Sequence, residues 1–207
     1  MAFENSDTAK SMNMIAQSVK ILIAGGFGVG KSTLVGAISE VAPLRTEESL
    51  SNLSVSVDDL TGVDAKTTTT VALDFGRITI DSELILYLFG TPGQERFWFL
   101  WDELSRGALG TVVLADPRRL ESSFSAVDYF ERRGIPFVVG VNCFDGGPVY
   151  SSEEIRSALD LTLEVPIILC DARHRKSVKD VLLTLVEYLI QQFGSARSPS
   201  VAASDQG

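Results

Sequence analysis

Cysteine, histidine and basic residues are the scarce components of this 207-residue chain. Cys143 and Cys170 are its two cysteines, both in apolar strand-like runs, and His174 is its single histidine. That leaves too few soft ligands for a zinc site, and reduced thiols in a cytosolic protein are the expected state. Eighteen Lys and Arg against 27 Asp and Glu give a net charge of −9, which argues against nucleic acid or an anionic membrane as a partner over a general surface. Residues 1 to 14 (MAFENSDTAKSMNM) start acidic and lack an apolar core, so neither a signal peptide nor a membrane span is expected there. The Met-Ala start and the SDQG end carry no myristoylation or prenylation signal, so membrane attachment is expected to come through a partner, with no direct anchor. No internal repeat is present, and 45% hydrophobic content is enough for the core of one domain.

What the chain does have is GGFGVGKST at residues 25 to 33. The spacing G-x-x-x-x-G-K-[ST] lets backbone N–H groups turn inward around phosphate oxygens, and side chains at Gly28 and Gly30 would block that wrap. Gly25, Phe27, Gly28, Val29, Gly30, Lys31, Ser32 and Thr33 are therefore the candidate phosphate-binding residues. Lys31 is placed to reach the β- and γ-phosphates and Ser32 to bind Mg²⁺, at the positive end of the helix that begins there. The flanks agree: residues 19 to 24 (VKILIA) read as a buried strand and residues 33 to 41 (TLVGAISEV) as a helix.

Around this centre we expect a polar arm at residues 1–18, one domain at 19–193 and a flexible tail at 194–207. Pro43 ends the first helical pattern, and about 25 Ser-, Thr- and acid-rich residues follow. They read as a surface insertion, with a short strand at 53 to 57 (LSVSV), that ends in a switch segment. Strand-like runs at 71 to 75 and 77 to 80 turn at Asp81-Ser82 into residues 83 to 89, which predicts an antiparallel hairpin feeding a buried strand. Further strands are expected at 110 to 115, 135 to 142 and 165 to 170, with helices between them. Ser151 and Glu154 form a capping box for a helix at 152 to 161. Val178, Val181, Leu182, Leu185, Val186, Leu189 and Phe193 make one core stripe on a helix at 178 to 193.

Taken together, these residues resemble the small Ras-like GTPases over residues 19 to 193. The resemblance implies an α/β fold with a mostly parallel six-stranded sheet, one antiparallel edge hairpin strand and helices on both faces. Thr70 stands at the place of the family's Mg²⁺-binding switch threonine, with Thr67, Thr68 and Thr69 as competitors. GTPGQE, residues 90 to 95, matches the second switch in Gly93, which would give its N–H to the γ-phosphate, and in Gln94, which would orient the attacking water. Lys31 and Gln94 are thus the expected catalytic residues. Asn142, Cys143 and Asp145 resemble the guanine-reading motif, and Asp171, Ala172 and Arg173 stand where the second guanine loop falls. A carboxylate at Asp145 can accept the N1–H and N2 protons of guanine, a donor pair that adenine lacks.

Two departures bear on nucleotide retention. The usual acid at the end of the third strand is Gly90, and the usual lysine of the guanine motif is Cys143. The missing acid, the proline of TPGQ and the aromatic run RFWFLW make the chain look more like bacterial MglA-type GTPases, and most like conservon-encoded CvnD proteins. The implied function is a GTP-binding switch hydrolysing GTP to GDP and phosphate with Mg²⁺. Its implied partners are a roadblock/LC7-domain protein and a sensor-kinase-like protein. The alternatives are a nucleotide-occupied scaffold with little hydrolysis, or a P-loop ATPase or kinase. Five consecutive apolar residues, 97 to 101 (FWFLW), would spread right around a helix, so a partner surface is expected there unless the switch folds the aromatics inward.

Overall fold

The computed structural model describes residues 17–42, 44–49, 70–94 and 97–195. The expected strand at 53 to 57, Thr67 to Thr69 and the two ends of the chain lie outside that set. Strand β1 (Gln17–Ala24) runs through the middle of the sheet and is buried on both faces over Ile21–Ala24, which is why its sequence reads as a continuous apolar run. Helix α1 (Lys31–Ile38) follows, then β2 (Leu44–Ser49), β3 (Thr70–Thr79) and β4 (Leu84–Gly90). The second half holds α2 (Phe99–Ser105), β5 (Ala108–Ala115), α3 (Phe124–Arg133), β6 (Phe137–Asn142), α4 (Ser152–Ala158), β7 (Ile167–Cys170) and α5 (Arg175–Ser195).

The strand order is β2-β3-β4-β1-β5-β6-β7. β4, β1, β5, β6 and β7 are parallel, while β3 runs antiparallel to both β4 and β2. The expected six strands are present, and β2 adds a seventh at the edge, in a stretch whose sequence suggested no strand. LRTEES carries three charged residues and no apolar alternation, a composition that discourages further pairing at a sheet edge. The runs on either side of Gly76 are one continuous strand, since glycine is tolerated in a ladder. There it meets α1 closely: a Cβ would lie 2.7 Å from Val35 Cγ1.

Helices cover both faces, as an alternating α/β pattern requires. Ile21, Ile23, Leu86, Leu88, Val112 and Leu114 pack under α1 and α5, whereas Leu22, Ala24, Val113, Val139 and Val141 pack under α2, α3 and α4. The alternation along β1 and β5 sends successive residues to opposite cores. The capping box is present: Ser151 Oγ accepts from the Glu154 N–H at 3.2 Å, and Glu154 Oε2 accepts from the Ser151 N–H at 2.8 Å. On α5 Val178, Val181, Leu182, Leu185 and Leu189 are buried and Val186 is half-buried, whereas Phe193 is partly exposed on the wall of a cavity that it shares with Val19, Leu84 and Leu86. Among the described residues no helix is long and apolar enough to cross a membrane.

The aromatic run divides between two fates. Phe97 and Trp101 are buried, Trp98 is half-buried, and Phe99 is half-exposed. Trp101 stacks on Phe130, meets Tyr129 edge-on and donates its indole N–H to the Pro92 carbonyl at 3.0 Å. A buried indole needs such an acceptor. Trp101 therefore anchors the TPGQ segment to the core, and Phe99 is the member of the run left facing outward.

Candidate functional site

Strands β1, β4, β5, β6 and β7 end on one side of the sheet, and the loops that leave them form the site, as expected of an open parallel sheet. The loop after β1 has positive φ at Gly25 (132°), Gly28 (74°) and Gly30 (108°), a conformation that side-chain-bearing residues rarely adopt. Gly30 caps α1 without a side-chain hydrogen bond, so the amides of its first turn are directed at whatever the loop encloses. Val29 is buried beneath this loop, and Phe27 is exposed at its tip.

Lys31 is buried, and its Nζ donates to the carbonyls of Gly25 at 2.9 Å and Gly26 at 2.7 Å. Burial lowers its pKa to about 8, with the Asp74 carboxylate pulling the other way. An ammonium this short of solvent is stabilised by an incoming anion. Gly93 closes tightly over it: a Cβ there would lie 2.6 Å from Lys31 Nζ and 2.8 Å from the Gly26 carbonyl oxygen. Only glycine fits. Gln94 is half-buried beside Gly93, and its carbonyl accepts the Phe97 N–H at 3.0 Å.

Asp74 is the residue that the sequence reading passed over. It pairs with Gly90 across the β3–β4 hairpin, and its carboxylate fills the space above the glycine: a Cβ at Gly90 would meet Asp74 Cβ at 3.0 Å and Oδ2 at 3.1 Å. Ser32 Oγ donates to that same Oδ2 at 2.5 Å. A carboxylate from the neighbouring strand β3 thus stands over Gly90. A hydroxyl and a carboxylate oxygen converging at the mouth of the phosphate loop suit a hard, oxygen-preferring cation such as Mg²⁺. Thr70, by contrast, opens β3 four residues before Asp74. That is about 13 Å along an extended strand, so the structure does not bring it to Ser32.

The base-side residues converge as expected. Asn142, buried at the end of β6, donates Nδ2 to the Val29 carbonyl at 2.9 Å and accepts the Ala172 N–H on Oδ1 at 2.9 Å, joining three loops. Cys143 is half-buried, and its N–H donates to the Cys170 carbonyl at 2.7 Å. Asp145 is exposed, and Arg173 covers its carboxylate with two parallel bonds, Nη1 to Oδ2 at 2.7 Å and Nη2 to Oδ1 at 2.9 Å. Arg173 also bonds Asp171, Nε to Oδ1 at 2.9 Å and Nη2 to Oδ2 at 2.7 Å. Hydrogen bonds from Arg173 hold both carboxyls below their usual range. One guanidinium therefore bridges two acids that would otherwise repel, and it engages both carboxylate oxygens of Asp145.

The chain that carries this arrangement is similar to known proteins. Residues 23–192 match the family described as conserved hypothetical ATP binding protein. The chain belongs to that family. A 142-residue stretch is 30% identical to the uncharacterized protein MJ1339 of Methanocaldococcus jannaschii, spanning 68% of this chain and 79% of that one. A 181-residue stretch is 28% identical to the Ras-related protein SEC4 of Candida albicans, spanning 83% and 77%. Among solved structures, the G domain of the T. maritima FeoB iron transporter superposes with a TM-score of 0.59 at 18% identity, covering 83% of this chain and 99% of that domain. The FeoB G domain of Methanococcus jannaschii gives a TM-score of 0.59 at 12% identity, covering 84% and 98%. This member of the family has the fold of a Ras-like G domain.

Proposed function

We propose that the protein is a Mg²⁺-dependent GTP-binding switch that hydrolyses GTP to GDP and phosphate. The observation that carries this reading is the Ser32–Asp74 pair beside Lys31, which supplies the acid that Gly90 lacks. Bound Mg²⁺ would neutralise phosphate charge, and Ser32 and Asp74 are the residues that would hold it, directly or through water. Lys31 and the glycine-loop amides hold the β- and γ-phosphates, Gly93 offers its N–H to the γ-phosphate, and Gln94 orients the attacking water. Asn142 positions the base, and Asp145 accepts from guanine once Arg173 moves aside. Thr70 would join the metal only after β3 releases its first residues. We place the switch domain at residues 19–193, in the cytoplasm, in the MglA-like and CvnD-like branch, with a roadblock/LC7-type partner as regulator and a sensor-kinase-like protein as a further associate. The half-exposed Phe99 is the residue of the aromatic run open to such a partner.

A second reading is adenine specificity. The family's description favours it, and so does the guanidinium already seated on Asp145. Identification of the nucleotide released from purified, denatured protein separates the two, followed by single-turnover hydrolysis of that nucleotide. For a guanine site, Asp145→Asn shifts preference toward xanthine nucleotides, because the amide replaces one acceptor with a donor. ATP competing equally with GTP would overturn the guanine reading.

A further inference from the structure

Between the phosphate loop and the base loop lies a buried carboxylate with no part in the mechanism above. Asp116 follows the last residue of β5, and its side chain has no exposed surface. A charge in such a place must be paired and hydrogen-bonded. Its partners are consecutive arginines. Arg118 donates Nε to Oδ1 at 2.9 Å and Nη2 to Oδ2 at 2.8 Å, and the Arg118 backbone N–H adds a bond to Oδ1 at 2.9 Å. Arg119 Nη2 reaches Oδ2 at 3.4 Å.

Each arginine then touches a different half of the site. The Arg118 guanidinium lies 3.5 Å above the ring of Phe144, inside the Asn142–Asp145 motif. Arg119 Nη2 donates to the Phe27 carbonyl at 3.3 Å and lies 3.6 Å from the point where a side chain on Gly28 would begin. Their charges are not equally spent. Arg118 forms a tight two-nitrogen fork on Asp116, which neutralises it. Arg119 makes a single longer contact with the same acid and is half-exposed, so its field extends over the rim of the glycine loop.

We infer that Asp116, Arg118 and Arg119 form a clamp that fixes the phosphate loop against the base loop, with Arg119 as a positioning residue for the polyphosphate of the bound nucleotide. In a chain of net charge −9, a local cation at the loop rim offsets the general repulsion of an anionic ligand. Cys143 carries no charge that could do this from the base motif. The clamp is a second tie between the loops, beside the one made by Asn142. The inference rests on the reading of this cradle as a nucleoside di- or triphosphate site, but not on which base it takes.

The test is the release rate of a fluorescent diphosphate from the full chain, measured in parallel for GDP, IDP and ADP derivatives. Arg119→Ala should speed release about tenfold, the effect of losing one charge-assisted contact. Arg119→Lys should restore most of the retention, and raised salt should shrink the difference. Because Arg119 acts on phosphates, the factor should be the same for every base that binds. Arg119→Gln, which keeps the stem of the side chain, serves as the second variant if the alanine form melts early without nucleotide. Unchanged release in both variants, or an Arg119→Lys protein as leaky as Arg119→Ala, overturns the clamp. A wild-type protein that holds ADP but neither GDP nor IDP overturns the guanine reading instead, and the Arg119 comparison is then made with ADP.

Discussion

The phosphate half and the base half of the site are built from opposite materials. Around the phosphates, Lys31 is buried, Gly93 packs against it with no room for a methyl group, and Ser32 is tied to Asp74 at 2.5 Å. On the base side, Asp145 and Arg173 are both exposed, and their link is an ion pair open to water. The first half is held by packing and by backbone shape, so it is pre-formed before any ligand arrives. The second is held by screened charge, which a competing donor can displace at little cost. Under the proposed function, grip would belong to the phosphate loop and selection to a carboxylate that must first be uncovered.

The sharpest way to break that comparison is at Lys31. Lys31→Ala should weaken nucleotide binding by about 100- to 1,000-fold, because several charge-assisted bonds to phosphate are lost together. Equilibrium titration with a fluorescent nucleotide reads it directly, and a loss below tenfold would mean that grip lies elsewhere. Next in size is the relocated acid. Asp74→Ala should lower Mg²⁺-dependent hydrolysis by about 10- to 100-fold. Gly90→Asp combined with Asp74→Gly should recover much of it, since losing the Asp74 Cβ with its carboxylate clears the space that the new side chain enters. Gly90→Asp alone should do harm, because two carboxylates would then crowd within contact distance. A Mg²⁺ titration of single-turnover rates distinguishes the three proteins.

The pH dependence divides the halves in a different way. Burial pushes the Lys31 pKa down to about 8 in the free protein, and bound phosphate would raise it. Below pH 8 the lysine is already charged and affinity should be flat; above it, binding must take up a proton, so affinity should fall by about tenfold per pH unit. Calorimetry in two buffers of different ionisation enthalpy would detect the proton uptake. Asp145 is held below its usual range by Arg173, so it stays ionised through this window and adds no slope of its own. The smallest expected effect is at Arg173. Arg173→Ala should speed guanine nucleotide association about threefold by leaving Asp145 uncovered, with little change in the rate of phosphate hydrolysis. Stopped-flow binding checks this, and slower association would show that Arg173 guides the base rather than covering its acceptor.

How far the sequence could be read differs between the two halves for a physical reason. The glycine loop was legible because its requirements are local: left-handed backbone at fixed positions, a lysine one residue on, a strand before and a helix after. Asn142, Asp145 and Ala172 were singled out by their resemblance to the guanine motifs, and the structure joins Asn142 to Ala172. Asp74 was within reach, since a hairpin turning at Ser82 puts residues eight before and eight after it, Asp74 and Gly90, face to face. The acid is missing at position 90, and the register of β3 and β4 sets which residue stands opposite it. Thr70 was placed by motif order alone, and pairing with β2 keeps it in the ladder instead.

By itself the sequence determined the α/β alternation, the phosphate cradle, the capping box on α4 and the stripe of α5, because each depends on backbone geometry or periodicity along a single stretch. Only the tertiary structure decided which of the five apolar residues 97 to 101 are core, since that depends on Phe130 and the Pro92 carbonyl waiting across the fold. It alone joined the Asp74 carboxylate to Ser32, Arg173 to Asp145 and the two arginines of Asp116 to separate loops. Charge pairing and strand register join residues far apart in the chain, and neither leaves a periodic trace in the sequence for a reader to find.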